Sequence, residues 1–205
     1  MDASLFLRGL LIGFSIAAPV GPIGVLCIRR SLTEGRASGL ASGLGAATAD
    51  AMYGCIAAFG LTFISTFLVS QQRVLRLVGG IFLLFLGVRT FLARPASETA
   101  SAPATNLLSA YGSTFLLTVT NPLTILSFAV VFAGIGLGDN GGDFAAAALV
   151  VLGVFLGSAL WWLLLSGGVS LVRTRFSYGG LWWVNRVSGI LITGFGLLAL
   201  ASLAG

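Results

Sequence analysis

The stretch LFLRGLLIGFSIAAPVGPIGVLCI, Leu5–Ile28, carries a single charge, Arg8, in an otherwise almost wholly apolar run. A helix needs about 20 apolar residues to cross a hydrocarbon core about 30 Å thick, and this stretch supplies them. Its beginning, Arg8 followed by the run Leu10–Ala18, is that of a signal peptide. The apolar run nevertheless continues to Ile28, and the same pattern returns in later segments. It therefore reads as a first membrane span and not as a cleaved leader.

Outward from it, Gly39–Leu68, Val74–Leu92, Leu107–Ile135, Phe144–Val169 and Leu181–Leu203 meet the same requirement. The expected class is an all-α integral membrane protein with six transmembrane helices. The second and fourth segments exceed the length a span requires, so tilt or a break is expected in each. The linkers Arg29–Ser38, Ser70–Arg73, Ala93–Asn106, Gly136–Asp143 and Ser170–Gly180 are compact, and the third, rich in Pro, Ser, Ala and Thr, is the natural boundary between halves.

Composition agrees. Of 205 residues, 57% are hydrophobic and 8% charged, against roughly 25% charged in soluble domains. The net charge of +5 comes from arginine alone, and basic loops beside apolar spans explain it better than a nucleic-acid partner. Histidine is absent, which removes the commonest general base, proton relay and metal ligand. No enzyme, cofactor or metal site is expected. Cys27 and Cys55 lie in different apolar segments without metal or CxxC spacing, and read as small buried hydrophobes.

Orientation follows from arginine placement. Linkers one, three and five carry Arg29, Arg30, Arg36, Arg94, Arg173 and Arg175; Arg8, Arg73 and Arg76 lie on the other side, and linker four holds Asp139 and Asp143 without arginine. This puts the odd linkers in the cytoplasm and both termini outside, in a multi-pass protein of the cell inner membrane.

The chain also echoes itself. Asp50–Tyr53 matches Ser158–Trp161 after 108 residues, and Gly45-xxx-Ala49 matches Gly153-xxx-Gly157. Arg76-Leu-Val-Gly79 matches Arg186-Val-Ser-Gly189 after 110 residues, and Pro22 matches Pro122 after 100. A unit of three spans is odd, so the halves must be oppositely oriented. The expected architecture is a 3+3 inverted repeat, halves 1–93 and 107–205 joined by linker 94–106, within one transmembrane domain, 1–205.

Ala18-Pro-Val-Gly-Pro22 falls inside span one and Asn121-Pro122 inside span four. Each proline lacks an N–H and clashes with the carbonyl four residues back, so Pro19, Pro22 and Pro122 free the carbonyls of Ser15, Ala18 and Thr118. In lipid such groups are tolerated only against protein or a wet cavity. A break at Gly21–Pro22 also leaves a half-helix N-terminus that attracts an anion such as a solute carboxylate. A simple kink is the plainer reading of one proline; equivalent depth in both halves favours broken helices one and four with a transport role.

Asp50 is the only charge between Gly39 and Leu68. It lies about 11 residues into its span, roughly 17 Å at the helical rise, where an ionised carboxylate costs on the order of 2.5–3.5 kcal/mol. Gly43, Ala47, Gly54 and Ala57 share its face, which points it at packed helices and not at lipid. Desolvation disfavours the ionised form, leaving the group able to trade a proton for a solute's ammonium. A protonated carboxyl bonded to a neighbour for stability alone is the alternative. Arg186, near the start of span six, either snorkels to the interface or pairs with a solute carboxylate or Asp50. Asn121, Thr124, Asn185, Ser158 and Tyr53 are neutral groups that line a cavity or bond across helices. Gly39/Gly43 and Gly153/Gly157 mark close helix contact, within one chain or between copies in a homo-oligomer. Trp182-Trp183 suits an interfacial anchor, whereas Trp161-Trp162 lies too deep for one.

Ala18-Pro-Val-Gly-Pro22, Arg30-Ser-Leu-Thr-Glu-Gly-Arg36 and Gly43-Leu-Gly-Ala-Ala-Thr-Ala-Asp50 resemble the LysE/RhtB family of amino-acid exporters. So do Arg76-xx-Gly-Gly-Ile-Phe-Leu-Leu-Phe-Leu-Gly87, Asn121-Pro-Leu-Thr-Ile-Leu-Ser-Phe128 and Arg186-xx-Gly-xxxxx-Phe-Gly196, so that the resemblance runs nearly end to end. It implies a six-helix inner-membrane translocator that expels amino acids in exchange for protons, with Pro-Val-Gly-Pro, Asp50 and Asn121-Pro122 at the centre of transport. Pro-Leu-Thr follows Asn121 where many homoserine-type members have Pro-Lys, a departure that bears on the substrate. Other readings are weaker: a thiol–disulfide carrier lacks a cysteine in span four, a divalent-cation exporter has a thin ligand set, and a non-transporting scaffold would not need Asp50.

Overall fold

A computed structural model describes residues 3–19, 21–58, 70–94, 106–121, 123–128, 144–173 and 175–203. Regular structure among them is helical: α1 (Ala3–Ala17), α2 (Pro22–Thr33), α3 (Arg36–Ala58), α4 (Gln72–Leu92), α5 (Leu107–Val119), α6 (Phe144–Arg173) and α7 (Tyr178–Ala201). A short helical stretch, 123–128, follows α5. Parts of the expected second and fourth spans, 59–68 and 129–135, lie outside the described residues, as do Pro122 and the whole linker Gly136–Asp143.

The first expected span is broken where its prolines stand. The Ala18 N–H closes the last turn of α1 on the Phe14 carbonyl at 3.0 Å. Helix α2 restarts with Pro22 at its first position behind Gly21, where a missing N–H costs nothing. The two axes are bent by 81°. The far end of α2 departs from the expected boundary, because the helix runs past Arg29 and Arg30 to Thr33 and α3 begins at Arg36. The linker expected over Arg29–Ser38 thus shrinks to Glu34 and Gly35, with Gly35 in the left-handed region at φ 104°, where glycine alone avoids a steric cost. An arginine pair at the edge of an apolar run is expected to lie in a loop; here both side chains find partners inside the protein, and the helix continues through them.

Helices α4, α6 and α7 are each long and apolar enough to cross a membrane, and α1 with α2 makes a further, bent candidate. Helix α3 is diluted by Gly, Ser, Thr and Asp50, and α5 is short for a crossing. Large apolar side chains face outward, among them Leu108, Leu171 and Leu198, as suits a lipid solvent and not water.

Helix α1 packs along α6 and α4 along α7, while α3 lies against both α5 and α6 and α2 touches α3, α6 and α7. Lipid supplies no hydrophobic force between helices, so close backbone approach must hold them. A Cβ on Gly13 would collide with the Val154 carbonyl, and one on Gly157 with the Leu10 carbonyl. Where all these helices converge, Leu26, Cys27, Ala47, Leu117, Trp162 and Ile192 form a buried core.

The two ends of the bundle differ. At one end Arg29 Nε donates to Asn185 Oδ1 at 2.9 Å, Arg173 Nε to the Leu32 carbonyl at 2.8 Å, and Asn185 Nδ2 to the Ala93 carbonyl at 3.3 Å. These bonds gather the end of α2, the end of α4, the end of α6 and the start of α7. At the other end Arg76 Nη1 reaches the Ser202 carbonyl at 3.3 Å, joining the start of α4 to the end of α7.

Candidate functional site

Asp50 sits on the face of α3 turned to α6 and is 3% exposed. Ser158 Oγ donates to its Oδ2 at 2.6 Å. Among the described residues the one ion pair is Arg29–Glu34, so the carboxyl is buried beside a neutral donor and no cation. A charge in such a place is costly unless paired. The glycines and alanines around it hold it there: Gly43, Ala47 and Gly54 on its own face are buried, and α6 approaches closely enough that Val154 lies 3.6 Å from where a Gly54 Cβ would stand.

One turn along α3, the Tyr53 hydroxyl donates to the Val119 carbonyl at 2.5 Å, and its ring stacks on Phe128 at 5.7 Å. Val119 is the last residue of α5. In an unbroken helix its carbonyl would accept from Leu123. Here the Leu123 N–H turns to Asn121 Oδ1 at 3.2 Å, Asn121 Nδ2 donates to Thr124 Oγ1 at 2.9 Å, and Asn121 N–H bonds the Thr118 carbonyl at 3.2 Å. The chain is thus interrupted at Thr120–Asn121, Asn121 caps the stretch that follows, and Tyr53 takes up the carbonyl so freed. Asp50 and Tyr53 share α3, Tyr53 reaches the end of α5, and Asn121 and Thr124 bond each other just beyond it; Pro122 lies outside the described residues.

At the other break Pro22 is buried, Gly21 partly exposed and Pro19 exposed. Ile23, next to Pro22, joins the core that contains Ala46 and Ala47 of α3, a turn before Asp50. Arg186 is elsewhere. Its guanidinium lies over Phe91 at 4.2 Å and Trp182 at 4.7 Å and donates to the Phe91 carbonyl at 2.6 Å, tying α7 to the end of α4.

Sequence reasoning missed Arg30. It is 7% exposed, and its Nη1 donates to Ser42 Oγ at 2.8 Å, the Ala110 carbonyl at 2.9 Å and Thr114 Oγ1 at 2.9 Å, while Nη2 donates to Ser113 Oγ at 2.8 Å. It pins α2 to α3 and α5. Its signal was present: Ile23, Leu26 and Arg30 recur at helical spacing, with no glycine or proline after Gly24 until Gly35. Beside it, Arg29 bonds Glu34 Oε1 at 2.9 Å and Ser38 bonds Glu34 Oε2 at 2.6 Å.

The sequence profile described as LysE type translocator matches residues 14–203. The putative amino acid efflux protein YcgF of Bacillus subtilis (strain 168) is 27% identical over 199 residues, 94% of this chain and 93% of that protein. The uncharacterized membrane protein YahN of Escherichia coli (strain K12) is 30% identical over 174 residues, 83% of this chain and 77% of its own. The threonine efflux protein of Escherichia coli (strain K12) is 25% identical over 199 residues, covering 94% and 96% respectively. No solved structure matches.

Proposed function

The chain belongs to the LysE type translocator family, a multi-pass membrane transporter and not an enzyme, and from that premise we propose that it exports amino acids or amino-acid-like solutes across the cytoplasmic membrane by proton antiport through Asp50. Similarity to proteins named for amino acid and threonine efflux supports the solute class. The single observation that carries the coupling is Asp50, 3% exposed, facing Ser158 and without a cation among the described residues. A proton bound there from outside is displaced when the solute's ammonium arrives from inside, and the exchange repeats in the opposite sense. The interruptions between α1 and α2 and after α5 give the carrier points at which helices can re-pack.

The six-span, 3+3 inverted architecture, with halves 1–93 and 107–205, belongs to this proposal. Matched contacts support it. Gly45 of α3 abuts the Tyr111 carbonyl of α5, and Gly153 of α6 abuts the Phe6 carbonyl of α1. Arg76 reaches Ser202 while Arg186 reaches Phe91. Each pair is what exchanging the halves would produce from the other. Ser158, the counterpart of Asp50 in the repeat, meets Asp50 itself, as residues on a pseudo-two-fold axis do. We place both termini outside the cytoplasm, and the arginine-rich end of the bundle inside.

The test is Asp50→Asn in cells fed amino-acid dipeptides. The variant is expected to accumulate in the membrane as wild type does and to lose efflux. Undiminished efflux refutes the role of Asp50.

A further inference from the structure

Two buried donors on α6 remain without partners. Trp162 is 4% and Ser166 0% exposed, yet among the described residues neither Trp162 Nε1 nor Ser166 Oγ has a hydrogen-bond partner. Leaving such groups unpaired in a low-dielectric interior costs about 1–3 kcal/mol each, so a chain keeps them where another state or a ligand satisfies them. They stand at four-residue intervals after Ser158, the partner of Asp50, and so continue one face of α6 by one and two turns, about 5.4 Å each. That face is turned to α3. A Cβ on Gly43 would collide with Trp162 Cβ, and one on Gly39 would stand 3.1 Å from Ser166 Oγ and collide with Ser31 Oγ. The seam is closed against α3 in this conformation, and its two glycines leave no side chain in the way should the helices part.

The geometry points to a carboxylate-binding subsite on this seam, with the Trp162 indole N–H and the Ser166 hydroxyl as its donors. It rests on the exporter reading, in which Asp50 takes the solute's ammonium. A small zwitterion with its ammonium at Asp50 then has its carboxylate along α6 toward these donors, the indole N–H one turn on and the hydroxyl two. The indole nitrogen only donates, which selects an anionic oxygen and rejects a second ammonium. The seam runs from Asp50 toward the arginine-rich end, since Ser166 and Gly39 lie by Ser31, whose hydroxyl bonds the Cys27 carbonyl at 2.9 Å in the turn before Arg30's clasp. It is therefore the inner half of the solute's route.

Two measurements on the full-length protein test this. In a Cys27→Ala, Cys55→Ala background, Ser166→Cys is exposed to a water-soluble anionic methanethiosulfonate in vesicles of both orientations, with Leu163→Cys, on the outer face at 47% exposure, as control. Modification of Ser166→Cys from the arginine-rich side, with Leu163→Cys inert, is expected; a Ser166→Cys inert from both sides overturns the route, whatever the solute. Second, Trp162→Phe keeps an aromatic side chain and deletes the indole N–H, with some loss of core volume. It is expected to raise KM about tenfold for the exported amino acid, the scale of one hydrogen bond to a charged group, with kcat unchanged and Tm lowered only by the lost core volume. An unchanged KM, or a fall in Tm that accounts for the loss, overturns the subsite. If the wild-type protein exports no amino acid at all, the exporter reading fails, and the thiol modification still reports on the seam.

Discussion

A guanidinium can face several neutral acceptors at once, and Arg30 uses that property to be buried without an acid. Its four bonds fall on Ser42 of α3 and on Ala110, Ser113 and Thr114 of α5. Three of those acceptors are hydroxyls that themselves donate back into their own helices, so their polarity is used twice. Arg30→Met is expected to lower stability by about 1.5–3 kcal/mol, the range for hydrogen bonds to a charged group, seen as a lower Tm in detergent. Arg30→Lys should not restore it, because a compact ammonium cannot span acceptors on two helices. Asp50 presents the opposite case, a buried charge-bearing group with one neutral donor and no cation among the described residues. Its isolation in an apolar run was visible in the residues alone. Arg30 was not, since an arginine at a span's edge reads as a loop until the partners that bury it are known.

At the level of helices, a break is defined by who takes the groups it frees. The interruption after α5 is closed from two sides, by Asn121 within the chain and by Tyr53 across from α3. Tyr53→Phe strands the Val119 carbonyl and is expected to cost about 1–3 kcal/mol. Asn121→Ala removes a cap worth about 1 kcal/mol. Because both act on one interruption, the double variant should lose less than the two single losses combined, which thermal unfolding of all four proteins measures; simple additivity would separate the two residues. Proline and glycine announced where the helices break, since a missing N–H is a local property. The side chain that heals the break comes from another helix and has no local signature beyond being a polar residue at mid-span.

Across the whole molecule, the ends of α2, α4 and α6 and the start of α7 are drawn together by arginines and Asn185. If this end faces the cytoplasm, a reporter that fluoresces only there should be dark when fused after Gly205 and bright when inserted within 95–105. A bright C-terminal fusion reverses the proposed orientation. Membrane class, the positions of the helical interruptions and the lone acid were already legible in the order of residues, because solvent choice, proline sterics and the cost of a buried charge act on each segment separately. Which helices pair, that α2 carries its arginines inward past the expected boundary, that Arg186 caps α4, and that Trp162 and Ser166 are left unsatisfied all depended on how the segments pack. Those outcomes turn on distances between residues far apart in the chain, and no local pattern encodes them.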